Sequence, residues 1–71
     1  MMNYRTLIRE LLSKTGSYKM SEDVLRATIR VATDDIVNEA KFKDALQWQH
    51  DRGVIDFTID QETGVKRWFL T

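Results

Sequence analysis

The chain holds one histidine, no cysteine and eleven carboxylates, so its means of doing covalent or metal chemistry are few. His50 is followed directly by Asp51, but side chains at i and i+1 of a helix do not face each other. Ser13, Ser17 and Ser21 have no base at a spacing that would activate a hydroxyl. A structural zinc site draws four ligands chiefly from Cys and His, and one histidine with scattered carboxylates does not supply them. No glycine-rich phosphate loop is present. The chain reads as a non-enzyme, with no metal, no cofactor and no small-molecule substrate expected.

What remains is charge and aromatic surface. Arg26 and Arg30 stand four apart, a spacing at which like charges on one helix face repel slightly. Glu22 is placed to offset one of them. Such a stripe fits a phosphate or an acidic partner about as well as it fits a solvated face. Arg5 and Arg9 repeat the spacing and read as solvated. Near the C-terminus Lys66 and Arg67 stand close to Asp60 and Glu62, so that stretch has no net positive charge.

Length bounds the rest. With 71 residues a single domain is expected, burying roughly 60% of its unfolded surface and therefore marginal in stability. Lacking cysteine, it cannot be stapled by disulfides. Hydrophobic residues make up 42% and charged residues 31%, too apolar for disorder. No apolar run approaches the roughly 18 residues that span a bilayer, and "MMNYRTLIRE" meets charge too early for a secretory signal. A cytoplasmic protein without a membrane role is the expectation.

Net charge is zero but uneven. Residues 1–33 carry six cations against three carboxylates, residues 34–62 three against eight, and the last nine residues add two cations. A dedicated nucleic-acid binder usually has a basic excess over its domain; this chain does not.

The elements that position these groups follow from periodicity. Tyr4, Leu7, Ile8, Leu11 and Leu12 recur at helical spacing, with Asn3 as N-cap and Gly16 as terminator, predicting a helix over about 3–15. "SYKM" is long enough to add one edge strand. Ser21, followed by Glu22 and Asp23, opens a second helix over about 21–32. Leu25, Ile29 and Ala32 line its inner side, with Val24 and Thr28 beside them. "ATDD" interrupts the helical pattern. The third helix begins either at Asp34, capped by Thr33, or at Glu39, capped by Asn38, and runs to about 52. Its inner stripe is Phe42, Ala45, Leu46 and Gln49.

After Gly53 the period changes to two: Ile55, Phe57 and Ile59 alternate with polar residues. A hairpin over about 54–60 and 65–71 follows, turning through "DQETG" with Gly64 at positive φ. A four-residue loop sets Phe57 against Trp68 and Ile55 against Leu70, whereas a slip of one residue would exchange Trp68 for Phe69 on the inner face.

Three helices, the third ending in the glycine that starts a terminal hairpin ("LQWQHDRGVI", then "KRWFLT"), make an α+β, mainly α, architecture. This pattern resembles the winged helix-turn-helix family. One residue departs from it: Gln49 stands where leucine is usual, so the helix is expected either to rotate slightly or to hold Gln49 at the rim.

The resemblance implies a third helix entering the DNA major groove and a wing touching the backbone. On that view Lys41, Lys43 and Gln47 contact the groove, while Lys66, Arg67, Arg26 and Arg30 anchor phosphates. Asp44 and Asp51 on the same helix would repel them. The implied role is a transcriptional regulator or accessory factor, working as a homodimer or with a hetero-partner because one small domain covers only one half-site. The alternative is a protein-interaction module that binds no DNA and uses Trp48, Trp68 and Phe69. Exposed tryptophan is enriched at interfaces, although a tryptophan closing a small core between wing and helix is the commoner arrangement.

Overall fold

The computed structural model describes residues 3–14 and 19–71. In chain order these form α1 (Tyr4–Lys14), β1 (Met20–Ser21), α2 (Glu22–Thr33), α3 (Glu39–Asp51), β2 (Ile55–Ile59) and β3 (Lys66–Leu70). The fold is α+β: three helices and a three-stranded antiparallel sheet in the order β1-β3-β2. Gly16, the expected terminator of α1, lies outside the described residues.

Each described helix start carries its own cap. Asn3 Oδ1 accepts from the Arg5 amide at 2.9 Å, and Ser21 Oγ from the Val24 amide at 3.3 Å. Asn38 Oδ1 accepts from the Lys41 amide at 3.1 Å, which fixes the start of α3 at Glu39 and rules out Asp34. Asp34 instead closes α2 in the left-handed conformation, with φ 52°, a region that Asp enters more readily than most residues. The Asn38 amide also donates to the Tyr4 hydroxyl at 3.0 Å, tying the start of α3 to the start of α1.

The core is one cluster: Leu7, Ile8 and Leu12 of α1, Leu25 and Ile29 of α2, Phe42, Ala45 and Leu46 of α3, with Ile55 and Trp68 from the sheet. Two sequence expectations are corrected here. Ala32 and Val24 are exposed, because the buried side of α2 narrows to Leu25 and Ile29 and each residue turns about 100° from the last. Gln49 is not at the rim but 1% exposed. Its Nε2 donates to the Ala45 carbonyl one turn back, at 3.4 Å, so a polar side chain is accommodated inside by bonding its own helix.

At the end of α3 the Gly53 amide donates to the His50 carbonyl and the Val54 amide to the Gln49 carbonyl, both at 3.0 Å. These are the two bonds of a Schellman C-terminus, with Gly53 at φ 71°. The hairpin then returns in the expected register, Ile55 opposite Leu70 and Phe57 opposite Trp68. Chain end and junction are tied by the Thr71 amide, which donates to the Val54 carbonyl at 3.2 Å. A Cβ on Gly53 would meet nothing within 4 Å, so its requirement is conformational, not steric. Gly53→Ala is therefore expected to cost about 1 kcal/mol, the penalty for a side chain in the left-handed region, seen as a melting-point drop of roughly 4–8 °C.

Candidate nucleic-acid interface

The outward side of α3 is open. Ala40, Lys43, Gln47 and Asp51 are all exposed, and the hairpin folds beside them without covering them. Between α3, the hairpin and the start of α2 runs a groove of about 580 Å³ whose lining includes Lys43, Gln47, His50, Phe57, Lys66 and Trp68. Three of the seven candidate contact residues are thus brought together: Lys43, Gln47 and Lys66. Glu22 and Asp23 lie on the same rim, so the groove has mixed charge.

The other four are dispersed. Lys41 lines a separate groove of about 630 Å³ on the α1 side, with Tyr4, Arg5 and Asp44. Arg26 is held by carboxylates: its Nε meets the two oxygens of Glu39 at 2.6 and 3.0 Å, and its Nη1 reaches Asp23 at 2.8 Å. The Glu39 hydrogen bond, with Asp23 in support, raises the guanidinium pKa further above its ordinary value. Arg67 pairs with Asp60 at 3.4 Å. Arg30 is exposed and makes no ion pair with the described residues.

Lys43 and Lys66 likewise have no carboxylate within ion-pair distance among the described residues. Lys66 Nζ instead rests over the Phe57 ring, 4.8 Å from its centroid. Gln47 is engaged on its own helix, donating to Asp51 Oδ1 at 2.7 Å.

The aromatic candidates divide. Trp68 is 4% exposed and belongs to the core: the hairpin register turns it inward, 5.0 Å from Phe57, and its Nε1 donates to Glu22 Oε1 at 3.3 Å. Trp48 is half-buried between two guanidinium groups, Arg5 at 3.9 Å and Arg52 at 3.8 Å from the ring centroid. Phe69 is half-buried with the Lys19 ammonium 5.1 Å above it. Tryptophan 48 and Phe69 therefore already carry cations on their faces.

His50 is the groove residue that reading the sequence missed. Its Nε2 lies 3.4 Å from Asp56 Oδ1, and its ring is 5.3 Å from Phe57 and edge-on to Trp68 at 6.1 Å. The signal was its place one turn before Gly53, where a returning hairpin must pass. Among the described residues no group of three or more His, Cys, Asp or Glu is arranged to hold a metal ion, and no helix is long and apolar enough to cross a membrane.

The turn that carries Lys66 is organised by Asp60, whose Oδ1 accepts from the amides of Glu62 at 2.9 Å and Thr63 at 3.4 Å. The Glu62 amide first, then Thr63 and the Arg67 guanidinium, hold the Asp60 carboxyl below its ordinary pKa. A carboxylate with a lowered folded-state pKa stabilises the fold above its unfolded pKa, and that contribution fades as pH falls through the folded value. A carbon-detected NMR titration should therefore place the Asp60 midpoint below the usual aspartate value of about 3.9. The stability gap to Asp60→Asn should close over the same acid range.

No family model, no curated protein and no solved structure matches this chain.

Proposed function

We propose that this chain is a small winged helix-turn-helix DNA-binding protein, a transcriptional regulator or accessory factor. In this reading α3 contacts the major groove through Lys43 and Gln47 while Lys66 meets the adjacent backbone. Lys41 and Arg30 are outlying phosphate contacts, and Arg26 and Arg67 serve the fold. The observation that carries the reading is the contrast among the cations. Lys43 and Lys66, which share the α3–hairpin groove, have no ion-pair partner among the described residues, as is also true of Lys41 and Arg30 outside it, whereas Arg26 and Arg67 are neutralised. Gln47 would exchange its bond to Asp51 for a base edge, an exchange of similar bonds at low cost.

The test is binding to random duplex followed by fluorescence anisotropy across a range of salt. Three to four phosphate contacts predict a log–log slope of roughly −2.7 to −3.6. A flat salt response, or no binding at the lowest salt, would end the DNA reading.

A protein-interaction module without DNA binding is the second reading. It is favoured by the zero net charge and by large apolar residues that stand exposed, Val31 and Ile36 at 81% each.

A further inference from the structure

The outward face of α2 is exposed among the described residues, and its residues are arranged so that the face complements itself. Opposite the buried Leu25 and Ile29 the centre of this face is Ala27, exposed and small. On one side of Ala27 lie Val24 and Val31, both exposed; on the other lie Asp23 and Arg30. Half-buried Thr28 adds no unsatisfied hydroxyl, since its Oγ1 donates to the Val24 carbonyl at 2.7 Å.

A twofold axis through Ala27, relating two antiparallel copies of α2, keeps each flank on its own side and reverses direction along the helix. Val24 then meets Val31 of a second copy, and Asp23 meets Arg30. Each pairing is offset by a single residue, a rise of about 1.5 Å, well within side-chain reach. Asp23 contacts Arg26 of its own chain but its side chain remains 81% exposed, and Arg30 has no carboxylate of its own among the described residues.

We propose that the α2 face of Asp23, Val24, Ala27, Arg30 and Val31 is a self-association surface whose partner is a second copy of this chain. The surface is isologous: the same patch serves on both copies, as cyclic dimers require. A helix of 12 residues is only about 18 Å long, so the contact is smaller than the roughly 800 Å² per partner of a standard interface. The dimer is accordingly weak and concentration-dependent. It replaces Trp48, Trp68 and Phe69 as the expected contact and takes Arg30 out of the phosphate contacts, and it does not depend on the DNA reading.

Sedimentation equilibrium of the full chain without DNA, from micromolar to millimolar concentration, tests it. The average mass should climb toward twice the monomer. Val31→Glu should weaken association at least about tenfold with little change in melting temperature, because the residue is 81% exposed in the monomer. Asp23→Arg and Arg30→Asp should each weaken it, and the double exchange should restore it. A wild-type chain that stays monomeric throughout, a Val31→Glu variant that associates as before, or a folded double exchange that fails to recover association would each overturn the proposal.

Discussion

Phe42→Ala is expected to remove about 3–5 kcal/mol of stability, the usual cost of truncating a fully buried aromatic side chain. Phe42 is 0% exposed and sits in the core cluster contributed by α1, α2, α3 and the sheet, with the Arg26 guanidinium 5.3 Å from its ring centroid. The effect is large because the total is small: at 0.05–0.15 kcal/mol per residue, a domain of this length holds roughly 4–11 kcal/mol. A urea titration followed by tryptophan fluorescence should find the variant's midpoint shifted down by the equivalent of about 3–5 kcal/mol, enough to unfold it in buffer if the wild type's own stability lies at the low end of its range. Val31→Ala, on the open face of α2, should move stability by less than about 0.5 kcal/mol. A loss below about 1 kcal/mol for Phe42→Ala would mean that α3 does not pack as described.

The second large effect concerns binding. Lys43→Glu with Lys66→Glu should lower affinity for random duplex roughly a hundredfold, about 2.7 kcal/mol, and reduce the magnitude of the salt slope by about two. Each position should contribute near tenfold, and the two should add, because they stand on different elements and share no partner. Stability should change little. Neither lysine is in an ion pair with a described residue, and the Lys66 contact over Phe57 is worth about 0.5–1 kcal/mol at an exposed site. Arg67→Glu is the informative control: Arg67 is paired with Asp60, so its reversal should disturb the turn more than the binding. An unchanged affinity in the double variant would remove the α3–hairpin groove from the account.

Local signals in the sequence were enough for much of this fold. A four-residue loop ending at Gly64 pointed to Trp68 opposite Phe57 but left open a slip that would turn Phe69 inward; the structure has Trp68 opposite Phe57. The Gly53 junction was legible because a helical period cannot become a period of two within one residue unless the backbone reverses there.

Side-chain contacts that residue spacing alone does not specify decided what was not legible. Thr33 and Asn38 are both competent caps, and the choice between them fell to Asn38, whose amide is held by Tyr4 from 34 residues away. Gln49 looked out of place inside because its accommodation depends on an acceptor in its own helix, which composition does not reveal. The cations were hardest. Arg26, a candidate phosphate contact, is held by Glu39 from another helix, and Trp48, a candidate interface residue, carries Arg5 and Arg52 on its ring.

The central claim is that Gly53 turns the hairpin back beside α3 while leaving the side with Lys43 free to meet a nucleic acid. Amide chemical-shift mapping during addition of random duplex at low salt addresses it directly. The expected result is a set of shifts concentrated at Lys43, Gln47, His50 and Lys66, reversed by raising the salt. Shifts confined to the Trp48 side of α3, or a spectrum that does not move at all, would contradict it.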